Sequence, residues 1–379
     1  MNACRICGAA LRPADYAAPP PAMTSLSTQL DVGTEVSVCR TCGHVQSPDL
    51  PDLQDFYDHE YRISLQSDDH DQLYEMRGDR PVYRTERQAE ILAELDLPQE
   101  ARLLDFGAAK AVTTRRLMKV RPDLKPHLFD VSNDYRDHWA DWIPADAQAT
   151  YELPEDWAGA FDVLTAHFVL EHVADPVAVL RTLARCLAPG GMLFFSVPDP
   201  EGNAGDLLVV DHVNHFVPSS LHRALEAAGL KARAIRQDLF RGAHVVIAEL
   251  GENGLTSDGP APAPETALAH LDGWRRLLDD LKRRLGDPAD QKTKVAIYGA
   301  GFYGALFSPI VGDAKVCFLD RNPHLAGETM DGVPILPPEQ CPEVDLVIAA
   351  LNPAHARAIL PEDAPWLPKS ARVIYPQNT

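Results

Sequence analysis

Short apolar runs alternate with helix-period stretches through the middle of the chain. Leu103-Leu104-Asp105-Phe106 is an apolar run with an acid near its end, and a run of this length predicts a buried strand. A loop of small residues follows, Gly107-Ala108-Ala109-Lys110-Ala111. Residues 113–120 then predict a helix with Leu117 and Val120 on its buried side. Residues 127–129 start a second strand, with Asp130 at its tip. Helix and loop carrying Trp139 and Trp142 lead to Ala149 and Thr150 at a third strand edge. Residues 161–166 predict a fourth strand. Residues 176–187 predict an amphipathic helix, with Val177, Leu180, Leu183, Ala184 and Leu187 at helical spacing. Pro189-Gly190-Gly191 reads as a turn, and 192–197 as a fifth strand. Strand–helix alternation predicts a parallel sheet with its ligand at the C-terminal ends of the strands.

The pattern changes on both sides of this region. Residues 53–87 are aromatic and acidic, and Phe56, Tyr57, Tyr61, Tyr74 and Tyr83 are expected to form a cap ahead of a helix over 84–95. Residues 252–264 (ENGLTSDGPAPAP) are a linker by composition. Residues 265–285 predict an amphipathic helix with Leu268, Leu271, Trp274, Leu278, Leu281 and Leu285 on one side. A second strand–turn–helix–strand pattern begins at Lys294. The expected division is 1–50, 51–90 as a helical and aromatic cap, 91–250, 251–290 as linker and helix, and 291–379.

The chain has 379 residues, 45% of them hydrophobic, which suits two or three packed domains. Its 55 acids against 35 Lys plus Arg give a formal net charge of −20. A duplex-binding protein needs a basic face to displace counterions. Nucleic acid and anionic membrane are therefore not expected partners. No apolar run approaches the roughly 18–20 residues needed to span a bilayer. The start, MNACRICGAALRPAD, lacks the apolar stretch of a secretory signal, so the cytoplasm is the expected compartment. The oligomeric state is left open.

Four of the seven cysteines fall in two CxxCG repeats, Cys4/Cys7 and Cys39/Cys42. Two thiolates two residues apart can bite one Zn²⁺ through a tight turn, and two such pairs complete a tetrahedral structural site. The 31 residues between the pairs hold too few large apolar side chains for a core, so metal is expected to hold this segment folded. Cys186, Cys317 and Cys341 are expected to be small buried hydrophobes.

The small-residue turn after 103–106 lets a backbone approach a ligand closely, and an acid such as Asp130 can accept both hydroxyls of a ribose. This predicts an adenosine-containing cofactor. Asp211-His212-Val213-Asn214-His215 is the expected seat of chemistry, because an imidazole beside a carboxylate suits general-base work near neutrality. His212 is the candidate base, with Asp211 orienting it and His215 as a further candidate. Gly299-x-Gly301-x-x-Gly304, with Asp320 21 residues after Gly299, matches the dinucleotide fingerprint.

LLDFGAAKA, FDVLTAHFVLEHVADP and LAPGGMLFFSVP, in this order, resemble the class I S-adenosylmethionine-dependent methyltransferases over about 102–248. The cysteine pairs, the Asp211-His212 pair and the C-terminal pattern further resemble the zinc-containing sugar C-methyltransferases. The resemblance implies an α/β fold: a central Rossmann-like sheet, a small N-terminal zinc domain and a second Rossmann-like domain. It implies that Asp105, Gly107 and Ala109 line the methionine end of the cofactor and that Asp130 holds its ribose. It places Ala149 and Thr150 beside adenine and His167 at the pocket floor. It implies a nucleotide-linked sugar as substrate, with Gly299, Gly301, Gly304 and Asp320 on the substrate side, and either C- or O-methylation. That family has Glu where this chain has Asp211, and a Tyr where Val209 stands. The class I methyltransferases usually have Gly where this chain has Ala109 and Ala111; Ala is tolerated there at negative φ and strained at positive φ. Two other expectations stay open: an NAD-dependent oxidoreductase or epimerase using 299–320, and a binding protein whose cofactor loop has decayed.

Overall fold

The computed structural model describes residues 3–50, 71–251, 259–285 and 293–375. Phe56, Tyr57 and Tyr61 of the expected cap lie outside them. The chain divides into two compact units. The first holds residues up to 13, 37–202 and 211–264; the second holds 14–36, 203–210 and 265 onward. The cysteine pairs thus group with the central sheet, while the residues between them fall largely to the second unit.

In the first unit, β1 (Val45–Gln46) pairs antiparallel with Ser37 and Val38. A hairpin of β2 (Leu73–Arg77) and β3 (Arg80–Tyr83) follows, where the sequence suggested a helical cap. Tyr74 of this hairpin packs on Phe240 at 4.6 Å between ring centroids. Then come α1 (Arg84–Glu94), β4 (Arg102–Phe106), α2 (Val112–Val120), β5 (Lys125–Asp130), β6 (Gln148–Thr150) and β7 (Phe161–His167). The run ends with α3 (Pro176–Cys186), β8 (Leu187–Pro198), β9 (Asn214–His215), α4 (Pro218–Ala227), β10 (Leu230–Arg236) and β11 (Ala243–Leu250).

Seven of these strands form one sheet in the order β6-β5-β4-β7-β8-β11-β10. The five from β6 to β8 are parallel; β11 runs antiparallel to both neighbours, so the sheet is mixed rather than wholly parallel. Side chains alternate across it as strand geometry requires. Leu104, Leu164, Leu193, Phe195 and Val246 face a core shared with Val177, Leu180 and Leu183 of α3 and Leu221 and Leu225 of α4. Leu103, Val163, Phe194 and Val245 face a second core with Ile91 and Leu92 of α1 and Leu117 of α2. Helices therefore cover both faces. Cys4, Ile6, Cys39 and Cys42 belong to the first of these cores, so the cysteine pairs do not rely on a core of their own.

Two local expectations are corrected. Val120, the last residue of α2, is 63% exposed, because Thr113, Thr114 and Leu117 line the buried face of that helix. Pro189-Gly190-Gly191 does not separate α3 from a later strand: β8 runs unbroken from Leu187. Gly190 at φ +81° absorbs the irregularity, and the register against β7 slips between the Phe161 and Val163 pairs. A bulge thus takes the place of the turn. Aspartate starts α3 as the turn chemistry requires, with the Asp175 carboxylate accepting the Ala178 N–H at 2.9 Å.

The second unit carries α5 (Pro264–Leu285), β12 (Val295–Tyr298), α6 (Phe302–Val311), β13 (Lys315–Leu319), β14 (Thr329–Met330), β15 (Val333–Leu336), β16 (Leu346–Ala349) and β17 (Arg372–Ile374). The sheet order is β14-β15-β13-β12-β16-β17, parallel except for β14. Along α5 the buried stripe is Ala267, Leu271, Trp274, Leu277, Leu281 and Leu285. Leu268 and Leu278 are only half-buried. No described helix is long and apolar enough to cross a membrane.

One buried side chain ties the first unit together. Asn214, fully buried, donates from Nδ2 to the carbonyls of Leu170 (3.1 Å) and Val173 (2.7 Å). Its Oδ1 therefore accepts, and His44 Nε2 donates to it at 3.2 Å. That bond fixes His44 in the tautomer with a bare Nδ1, and burial holds its pKa down to about 3. Replacing Asn214 with Leu leaves one N–H and two carbonyls buried without this partner. Urea denaturation is expected to show a loss of about 3–5 kcal/mol. A loss under about 1 kcal/mol would mean that the carbonyls find other donors.

Candidate functional site

The small-residue turn follows β4. Gly107 sits at φ +74°, and a Cβ there would lie 2.5 Å from Val169 Cγ2. Glycine is needed both for the backbone angle and for the approach of the loop after β7. The amides of Gly107 and Ala108 both reach the Phe129 carbonyl at 2.9 Å. Ala109 and Ala111 have φ of +46° and +54°. The methyl groups therefore stand in the strained left-handed region, the less favourable of the two outcomes open from the sequence. Trp139 Nε1 donates to the Ala109 carbonyl at 2.7 Å and pins the turn. Lys110 is 7% exposed.

Asp130 ends β5 and holds this turn. Its Oδ2 accepts the Ala109 N–H at 2.8 Å and its Oδ1 the Ser132 N–H at 3.2 Å. Burial pushes its pKa up to about 6, against the pull of these amides. Thr150 is its register partner on β6, which brings the two expected nucleoside-binding positions side by side. The Thr150 hydroxyl donates to Asn133 Oδ1 at 2.7 Å, and Ala149 is buried beside it. Asp105 is buried within β4. Its carboxylate accepts the hydroxyls of Thr114 (2.5 Å) and Thr165 (2.9 Å), tying β4 to α2 and β7, and burial raises its pKa. His167, at the end of β7, has Nδ1 3.3 Å from Ser196 Oγ. Burial holds its pKa down to about 3, so the ring is neutral. Phe168 follows at φ +56° with Arg84 over its ring at 3.6 Å.

Positive φ at residues other than glycine concentrates here. Of seven such residues described, Ala109, Ala111, Tyr151 and Phe168 lie in segments that directly follow β4, β6 and β7. Strain collected at one end of a sheet points to a functional site there.

Just past β7, one 3₁₀ turn (Leu170–His172) brings a second group of side chains inward. Glu171 is fully buried, and His172 and His212 are each 9% exposed. One ligand-type atom from each of the three lies within 4.8 Å of the others. The His172 and His212 rings meet edge-on at 4.8 Å. His172 Nδ1 is 3.0 Å from the Asp211 carbonyl and 3.7 Å from the Asp211 carboxylate. The structure thus sets Asp211 against His172. His215 lies on β9, with Nε2 3.4 Å from Ser47 Oγ. Glu171 and His172 were legible only as part of the LEHV segment. Their meeting with His212 crosses 40 residues and left no local signal.

The four CxxC sulfurs also cluster within 4.8 Å. Cys4 and Cys42 sulfurs are 3.6 Å apart, as are those of Cys7 and Cys39. Four thiolates with bonds of about 2.3 Å to one Zn²⁺ stand about 3.8 Å apart, so the quartet fits that ion. Arg5, between the first pair, donates to the carbonyls of Ser47 (2.9 Å) and Val213 (2.5 Å).

In the second unit, Gly299 lies at φ +109°, and a Cβ there would meet the Ala350 carbonyl oxygen at 2.4 Å. A Cβ on Gly304 would meet the Gly299 oxygen at 2.1 Å, whereas Gly301 faces open space. Asp320 Oδ2 accepts the Ala300 N–H and Oδ1 the Asn322 N–H, both at 2.8 Å. Asp320 thus braces its turn as Asp130 braces the first.

A methyltransferase-domain family matches residues 78–235. The ubiquinone biosynthesis O-methyltransferase of Xanthomonas oryzae pv. oryzae is 31% identical over 139 residues, 35% of this chain and 58% of that protein. The same enzyme of Xanthomonas axonopodis pv. citri is 30% identical over 132 residues, 33% of this chain and 55% of that protein. The chain therefore spans a little over half the length of these relatives. An O-methyltransferase family protein from Burkholderia thailandensis superimposes with a TM-score of 0.37 at 14% identity, covering 45% of this chain and 57% of that one.

Ala109→Gly is expected to raise stability by about 0.5–1 kcal/mol in urea denaturation, because it removes a left-handed alanine. Ala108→Gly, whose φ is not positive, is expected to lower it. Equal losses for both would show that the Ala109 angle carries no strain. By segment and by sequence, residues 78–235 are similar to a methyltransferase domain.

Proposed function

We propose that the chain is an S-adenosylmethionine-dependent methyltransferase acting on a hydroxyl of a nucleotide-linked sugar. One observation carries the reading: Asp130 and Thr150 stand as register partners beside the strained small-residue turn, while Glu171, His172 and His212 converge just beyond β7. The first group suits a ribose and the second an acceptor proton. The match of 78–235 to a methyltransferase domain and the O-methyltransferase names of the relatives support the chemistry. The sugar rests on the resemblance carried by Asp211-His212. The Gly299-x-Gly301-x-x-Gly304 turn of the second unit suits a nucleoside diphosphate.

Bound S-adenosylmethionine would supply an electrophilic methyl on sulfur with its leaving group built in. The protein's part is positioning and proton transfer. Asp130 would accept the ribose hydroxyls through lone pairs left after its two backbone bonds. His212 would take the acceptor proton as the acceptor oxygen bonds to carbon. His172, set by Asp211, would stand edge-on to that ring. Zn²⁺ at Cys4, Cys7, Cys39 and Cys42 is proposed as a structural ion, with all four positions sulfur. Arg5 would transmit its order to the strand after His212 through the Val213 carbonyl.

Calorimetry with S-adenosylhomocysteine and with NAD⁺ on the full chain tests the reading. Binding of NAD⁺ without S-adenosylhomocysteine would favour an oxidoreductase and overturn it. Affinity for S-adenosylhomocysteine should also depend on pH. With Asp130 raised to about 6, its carboxylate is ionised above that value and accepts two hydroxyl hydrogens. Below it a bound proton converts one acceptor into a donor. Affinity is therefore expected to be full at pH 7.5 and to fall as pH drops through 6. Asp130→Asn should weaken binding at both ends and flatten the profile. His212→Ala is expected to bind S-adenosylhomocysteine normally and to lose turnover by about 10²–10⁴-fold. Near-normal turnover would remove His212 from the mechanism. Cys39→Ser should lower both zinc content by mass spectrometry and the melting temperature; an unchanged pair of values would leave the quartet without a metal.

A further inference from the structure

Glu171, His172 and His212 form a buried two-histidine, one-carboxylate group in the first unit. We propose that these three side chains bind a divalent transition-metal ion, distinct from the ion of the cysteine quartet. Three features argue for it. The first is donor chemistry: two imidazoles and a carboxylate suit zinc, iron(II) or manganese(II), and three protein ligands leave a position open. The second is spacing. Their ligand-type atoms lie within 4.8 Å of one another, and bonds of about 2.1 Å would draw them to about 3.4 Å apart at a tetrahedral ion. Side-chain rotation on binding closes that difference. The third is support behind the ligands. His172 Nδ1 points at the Asp211 carbonyl at 3.0 Å with the Asp211 carboxylate at 3.7 Å, an arrangement that fixes a metal-binding histidine's tautomer and leaves Nε2 as its lone pair. Asn214 clamps the carbonyls of Leu170 and Val173, which bracket Glu171 and His172, from a position two residues past His212. The backbone that carries all three ligands is thus held by one amide.

Burial sharpens the case. Glu171 and Asp211 are both fully buried carboxylates in one patch with two imidazoles. A dication placed among them offsets charge that is costly to hold away from water. The open position would take an acceptor oxygen and lower its pKa, as metal-bound water is acidified. This last step rests on the methyltransferase reading; the binding of metal does not. Metal binding takes up the ring lone pair of His212, so the base role proposed above belongs to the metal-free chain, and in the metal-bound chain the ion would activate the acceptor at the same place.

The test is titration of the metal-stripped full chain with Co²⁺, without cofactor or acceptor. Two equivalents are expected. One gives the near-ultraviolet thiolate charge-transfer band of the cysteine quartet, and the other gives visible bands without it. Glu171→Gln and His212→Asn should each retain the sulfur equivalent, which reports an intact fold, and weaken the second by about a hundredfold or more. A single, sulfur-bound equivalent in the parent chain would overturn the proposal. So would a second equivalent of unchanged affinity in both variants. Calorimetry with S-adenosylhomocysteine on the same samples reports on the methyltransferase reading separately, since neither variant touches Asp130 or the turn after β4.

Discussion

The candidate site of the first unit depends on one buried amide. Asn214 stands on a two-residue strand, yet its side chain satisfies three backbone or ring groups from two other parts of the chain. A buried carbonyl or N–H without a partner costs about as much as a typical domain can spare for one contact. The amide is suited to the task because it donates twice and accepts once. A carboxylate or a hydroxyl could not do both. Its position links the cysteine segment, through His44, to the turn that carries Glu171 and His172. Arg5 makes a parallel link from the first cysteine pair to the Val213 carbonyl. Order in the N-terminal segment is thereby coupled to order around His212.

A second constraint operates at the C-terminal end of the sheet. Asp130 gives up part of its hydrogen-bonding capacity to hold the Ala109 amide, and Trp139 holds the carbonyl of the same residue. Together they keep alanines at angles that glycine adopts more readily. The strain is local, and the packed sheet beneath supports it. The second unit repeats the device at Asp320 and Ala300 with glycines on either side of the turn residue. An acid at the end of the second strand is therefore first a brace for its loop in both units. Any part it plays toward a nucleoside uses the lone pairs that remain.

The sequence was most readable where short-range periodicity decides structure. The strands around Leu104, Phe129 and Leu164, the helix beginning at Pro176 and the glycine-rich turn at Gly299 all occur near their expected places. So do the two cysteine pairs, because ligand spacing within a CxxC turn is a local property. It was less readable at Pro189-Gly190-Gly191, where turn-forming residues became a bulge once β7 offered a neighbour to pair with. Val120 had the right spacing for burial, yet it ends its helix facing solvent. The hairpin from Leu73 to Tyr83 was hidden by an aromatic composition that suits a cap as well as a strand pair.

Local pattern determined the alternation of elements, the cysteine quartet and the presence of an acid after each first turn. These follow from side-chain periodicity, glycine's backbone freedom and the bite of two thiols on one turn. Tertiary structure decided which partners those residues take. It turned Asp105 toward two threonines, set Asp211 against His172, and brought Glu171 to His212 across 40 residues. Such meetings depend on the order of strands in the sheet and on buried amides that fix one loop to another. Neither leaves a periodic trace along the chain.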